Sequence, residues 1–371
     1  MPVHTDLRAE EESFCADLAR VPAEDAITAT DGTVFTDRLA DWAVSGERGS
    51  AVDTLDRRLG ESVTDRLTWM LSTSQASVQH WLDKNPEFAT MVEFAEPAVV
   101  SQWWSDLTAQ SDGSSGAWTS GPAAALVALV PAMIGSLNGV PATDRVAANR
   151  AAAPQWIQQA KADLADAEPG SARAAFLVDE IAYLERVVSG EGSLLYVYDR
   201  DSSRIVEMIG TPTAETETVI TYSPGTFTSM RDFYSGGTTQ ISNYLVQNVP
   251  GTVAFVYKDG VFPGENVESG GANMLRITEA NDPERALVAG EQLASFAAGM
   301  RADPLLVDAE QDAIGFSWGL ANVASSEIAG VNYDKVISLS GRDAGRLGTE
   351  PGNELLGLLI RGSAAAGPAL G

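Results

Sequence analysis

Apolar positions along the chain follow two different periods, and the change falls near Gly190. Before it they recur three and four residues apart, as in helices with one buried face. That spacing predicts helices over 10–19, 36–44, 51–58, 62–71 and 74–82. Residues 23–35 fit neither period, and Asp31-Gly32 marks a turn. The most apolar window, 122–140, is interrupted by Pro131, Gly135, Ser136 and Asn138, which predicts a buried pair of helices rather than a membrane span. Asn138-Gly139-Val140-Pro141 reads as a turn leading into the next helix. Residues 152–167 and 171–188 predict a helical hairpin broken at Pro169-Gly170, with Asp179, Glu180 and Glu185 on its solvated face.

Beyond Gly190 the apolar residues gather in short runs between turns. Residues 193–199 and 204–209 predict a β-hairpin around Arg200-Asp201-Ser202-Ser203. Residues 218–222 and 251–257 predict buried strands, and 239–247 and 283–300 predict helices. A strand over 308–314, a helix over 320–328 and a strand over 333–340 follow. Strands alternating with helices point to an α/β fold with a mostly parallel sheet. The expected organisation is a helical region over 1–190, an α/β core over 191–341 and an atypical tail over 342–371.

Composition narrows the functional classes. The 371 residues carry a net charge of -27, which repels nucleic acid and anionic membranes. Cys15 is the only cysteine, and His4 and His80 are the only histidines, so neither a disulfide framework nor a His-based zinc site is expected. No metal or organic cofactor is implied. The first residues are acidic and lack a secretory pattern, so the expected compartment is the cytoplasm. Trp69, Trp81, Trp103, Trp104 and Trp118 crowd the helical half, where aromatic residues are expected mainly as core.

The candidate chemistry lies at Gly315-Phe316-Ser317-Trp318-Gly319. Gly-x-Ser-x-Gly is the nucleophile elbow, a sharp strand-to-helix turn whose glycines give room for close approach and whose Ser stands clear of the sheet. The pattern alone arises by chance in about one chain in four of this composition, so its flanking strand and helix carry the weight. An oxyanion hole takes one N–H from the residue after the nucleophile and one from the loop after an earlier strand. Here those are Trp318 and the Pro224-Gly225-Thr226 loop, with Thr226 the first choice and Phe227 the next. Phe316, Trp318 and Phe227 suggest an apolar acyl pocket.

Together Thr221-Tyr222-Ser223-Pro224-Gly225-Thr226, the elbow and the 334–341 strand ending in Gly341 resemble the α/β-hydrolases of unknown function common in actinobacteria. Trp103-Trp104, Leu107, 131–135, 138–141, Arg145 and Asn149 are similar to that family's helical preamble. Phe316 departs from it, standing where the family usually has His. The resemblance implies an α/β-hydrolase-type sheet, incomplete at its C-terminus, and a serine hydrolase acting on a small-molecule ester or amide. It also implies an acid and then a His after the nucleophile. No His follows Ser317, and neither acid nor base is identified. Asp343 and Glu350 are the nearest acids, while Asp334 reads as a residue preceding its strand. The tail after Gly341 reads as a frame-shifted continuation, with a genuine short form or a fragment as the rival. The expectation is an impaired hydrolase. The alternative is a non-catalytic scaffold whose helical region binds a protein partner.

Overall fold

The computed structural model describes residues 50–110, 120–340 and 357–362. The expected helices over 10–19 and 36–44, together with His4, Cys15, Trp118, Asp343 and Glu350, lie outside the described residues. Among the described residues six helices come first: α1 (Ser50–Leu71), α2 (Gln75–Lys84), α3 (Glu87–Glu93), α4 (Pro97–Ala109), α5 (Gly121–Leu129) and α6 (Pro131–Ser136). The segments expected over 51–58 and 62–71 form one continuous helix, α1, because nothing between them removes an amide or forces a turn. Ser74 caps α2 by accepting from the Ser77 amide at 3.3 Å. Pro131 separates α5 from α6, which realises the expected helix pair. Leu67, Met70, Phe88, Val100, Trp104, Leu126 and Ile134 are buried together between these helices. Trp69, Trp81 and Trp103 pack on that cluster, so the described tryptophans of this half belong to a core.

Two long helices join this layer to the sheet, α7 (Ala142–Asp166) and α8 (Ala172–Ser189). α7 starts earlier than the expected 152 and passes through Pro154. Its first half is fixed by tertiary bonds that outweigh the proline. Arg145 is fully buried and donates to Gly135 O at 2.9 Å, Asn138 Oδ1 at 2.7 Å and the Tyr196 hydroxyl at 2.7 Å. One turn later Asn149 Nδ2 donates to the carbonyls of Leu195 and Tyr196, at 3.2 and 2.7 Å. Gly135 is required beside them, because a Cβ there would overlap the Asn149 carboxamide. The segment that resembled a helical preamble is therefore a set of polar bolts between helices and sheet.

The main sheet contains β1 (Leu194–Asp199), β2 (Arg204–Ile209), β3 (Thr218–Ser223), β4 (Thr252–Lys258), β7 (Glu310–Phe316), β8 (Lys335–Ser340) and β9 (Gly357–Gly362), in the spatial order β1-β2-β4-β3-β7-β8-β9. β3 pairs in parallel with β4 and with β7, and β7 in parallel with β8. β2 is antiparallel to both its neighbours, and β9 is antiparallel to β8. The fold is α/β, with a mixed sheet whose central strands are parallel. Along β4, Val253, Phe255 and Tyr257 enter one core while Ala254 and Val256 enter the other, so this strand is buried on both faces. The first core holds α11 (Pro283–Ala302) and α12 (Trp318–Ile328), and the second holds α8 and α9 (Met230–Tyr234). α10 (Gln240–Asn248) lies against β4.

Two expectations are corrected. Glu180 does not sit on a solvated face: it is 1% exposed, accepts from the Tyr198 hydroxyl at 2.7 Å and pairs with Arg200 at 3.1 Å. Burial pushes its carboxyl up, and Tyr198 and Arg200 oppose that shift. Its partners come from the β1–β2 hairpin, out of reach of helical spacing, whereas Glu185 is exposed as expected and Asp179 is half-buried in an ion pair with Arg231. The stretch between β4 and α11 also carries more structure than expected: a short hairpin of β5 (Glu265–Asn266) and β6 (Gly271–Ala272), then a 3-10 helix over Met274–Asn281.

Candidate active site

β3 and β7 lie side by side with Ser223 opposite Gly315, so the loops after both strands emerge together. The chain leaves β3 toward β4 on one side and reaches β7 on the other, so this crevice lies where the connections diverge. Open α/β sheets bind ligands at the carboxyl ends of their strands at such a point.

Ser317 sits between β7 and α12 with φ 52 and ψ -117. A non-glycine residue reaches that region only where its surroundings impose it. Here two hydrogen bonds and two close approaches do so. The Ser317 amide donates to Leu339 O at 3.3 Å, and its carbonyl accepts from the Leu320 amide at 2.9 Å. Both flanking glycines are forced: a Cβ on Gly315 would fall 2.5 Å from Leu320 Cα, and one on Gly319 would fall 1.9 Å from Ser223 O. Below the turn, Asn322 Nδ2 donates to the buried Ser223 hydroxyl at 3.3 Å, tying α12 to the end of β3. Ser317 itself is exposed. Trp318 opens α12, so its amide belongs to the free amides of a helix N-terminus.

The β3 loop forms a turn in which the Thr228 amide donates to Gly225 O at 3.3 Å. Phe227, its third residue, has φ 70, a position that favours glycine. The Phe227 amide donates to Pro263 O at 2.9 Å, which removes it as an oxyanion donor. The Thr226 amide makes no hydrogen bond among the described residues. Between the two expected donors, the geometry leaves Thr226. Gly225 is packed under Phe316, whose ring a Cβ would approach to 2.8 Å, so Phe316 covers this loop.

The Trp318 side chain is buried against Phe262, Ala286 and Leu287. It borders a cleft of ≈ 340 Å³ whose other walls include Asp259, Asp282, Glu284, Arg285 and Gln292. That cleft is amphiphilic, and Ser317 is not among the residues that line it. Asp334 precedes β8 and its carboxylate accepts from the Gln311 amide at 2.7 Å, a structural task that agrees with its sequence reading. His80 is exposed on α2. No group of three potential metal ligands occurs among the described residues, and no described helix is long and apolar enough to cross a membrane. Sequence reasoning missed Pro263 and Gly264, which hold Phe227. The Pro-Gly pair in Phe262-Pro263-Gly264 was the available signal, since it marks a tight turn directly after a buried strand. No protein family, curated protein or solved structure matches the chain.

Proposed function

We propose that this chain is a serine hydrolase of the α/β-hydrolase type, with Ser317 as its nucleophile toward an ester or amide carbonyl. The backbone of Ser317, held at φ 52 and ψ -117 between strand and helix, carries the reading. Attack by Oγ would place a developing oxyanion between the Trp318 and Thr226 amides, with the N-terminus of α12 adding favourable potential. Losing the hydroxyl proton requires a base, and no His follows residue 317. The hole and the bound geometry by themselves supply about 10³- to 10⁴-fold over water, so a base supplied in solution is expected to raise the rate further.

The Ser317 hydroxyl makes no hydrogen bond among the described residues, which favours a second reading, a non-catalytic scaffold whose helical layer binds a partner. Fluorophosphonate labelling mapped by mass spectrometry separates the two, with Ser317→Ala as control and with or without added imidazole as a diffusible base. The hydrolase reading expects modification at Ser317 alone, accelerated by imidazole. A folded protein that stays unmodified at Ser317 with imidazole present leaves the scaffold reading.

A further inference from the structure

The described non-glycine residues with positive φ are Ser203, Phe227 and Ser317, at 55, 70 and 52°. They are far apart in sequence, yet one path of contacts joins them. Lys258, at the end of β4, is fully buried. Its ammonium donates to Ser203 O at 2.7 Å, to Ser203 Oγ at 2.8 Å and to Gly260 O at 2.8 Å, and pairs with Glu265 at 2.9 Å. The Ser203 hydroxyl donates to Glu265 Oε1 at 2.6 Å, and Glu265 Oε2 accepts from the Phe262 amide at 3.1 Å. The Glu265 amide in turn donates to Phe262 O at 3.1 Å. The turn over 262–265 is thus closed by its own backbone and clamped beneath by a carboxylate.

That turn meets the oxyanion loop. Pro263 O takes the Phe227 amide, and Gly264 has φ 78 and lies so close to the Phe227 ring that a Cβ would overlap it. Phe227 follows Thr226 directly, and Gly225 lies against Phe316 beside Ser317. Ser203 and Lys258 have the spacing of a nucleophile and base, but both are 0% exposed and no substrate reaches them. Buried ion pairs add little net stability over apolar residues of similar size, whereas they fix geometry well when fully hydrogen-bonded.

We propose that the Lys258–Glu265 pair, seated on Ser203, is a positioning device for the oxyanion hole: it fixes the 262–265 turn, the turn holds Phe227 in its left-handed conformation, and Phe227 aims the Thr226 amide at Ser317. This rests on the reading of Ser317 as nucleophile. These are positioning residues, since none touches the reacting atoms.

The test uses two variants of the full chain. Lys258→Met with Glu265→Leu removes both charges together, which avoids leaving one buried alone. Gly264→Ala disturbs the Phe227 contact and leaves the pair intact. Hydrogen exchange on peptides covering 224–229 should quicken about tenfold in both, the scale of one lost hydrogen bond, with α8 unchanged. The rate constant for fluorophosphonate labelling of Ser317 should fall by up to about 100-fold, as for a catalytic group moved by an ångström. A folded double variant with native exchange in 224–229 overturns the proposal. So does Gly264→Ala with faster exchange there and native labelling. An unlabelled wild-type protein counts against the hydrolase reading alone, and exchange in 224–229 then decides whether the pair positions the loop.

Discussion

Replacing Ser317 by Gly should leave the protein more stable than replacing it by Ala, while removing the proposed nucleophile. The hydroxyl and the strain can be separated with two variants. Ser317→Ala removes the oxygen and keeps the Cβ, so the residue must still be forced to φ 52 and ψ -117. Ser317→Gly removes the Cβ as well, and glycine adopts that region freely. Strain of this kind costs on the order of 1–3 kcal/mol. Glycine loses more backbone freedom on folding, about 0.5–1 kcal/mol against Ala. With mid-range values of about 2 and about 0.7, Ser317→Gly comes out more stable than Ser317→Ala by about 1.3 kcal/mol. Ser317 is exposed, so little packing is lost in either variant. Urea unfolding followed by tryptophan fluorescence would show this as a higher midpoint at constant slope, and a thermal melt as a rise of about 2 °C. A glycine variant no more stable than the alanine variant would refute stored strain at the elbow, and with it the main argument for a nucleophile there.

Gly319→Ala should act in the opposite sense. Its methyl would fall 1.9 Å from Ser223 O, so β3 and α12 must separate, at a cost of about 3 kcal/mol measurable in the same urea titration. Glu207 provides a pH signature. Burial pushes its carboxyl up to about 6 from an ordinary 4.5, with the Tyr183 hydroxyl donating to it at 2.8 Å. Between these values the folded state holds a proton the unfolded state has released, so the Glu207 contribution to stability is fully present below pH 4.5 and is lost as pH rises through about 6. The shift of about 1.5 corresponds to about 2 kcal/mol, and Glu207→Gln should flatten that part of the stability–pH curve. An unchanged curve in Glu207→Gln would show that the carboxyl ionises alike in both states.

The elbow was legible because its requirements are local. Two glycines around a serine state a steric need that the neighbouring residues Leu320 and Ser223 then impose. The Pro224-Gly225-Thr226 turn was legible for the same reason, and its meeting with the elbow followed from strand order. Lys258 and Glu265 were not legible. Lys258 ends an apolar run, where a lysine ordinarily reaches solvent, and the carboxylate that retains it lies beyond a turn. Glu180 misled for a related cause, since a helical spacing rule sees only neighbours on its own helix and Arg200 arrives from a hairpin. The separation of the Thr226 and Phe227 amides depended on Pro263 O, an acceptor that carries no side-chain signal.

The contact between Asn149 and β1 bears on how the sheet ends. β1 is the outermost strand on its side, and its pairing with β2 slips between Leu195 and Val197. Asn149 Nδ2 occupies the carbonyls of Leu195 and Tyr196 at that irregularity. Exposed strand edges recruit further strands, and bulges or covering side chains are what discourage it. A second chain approaching β1 meets α7, a broken ladder and acceptors already engaged. Asn149, itself fully buried on α7, therefore engages carbonyls at this border that a further strand would need as acceptors.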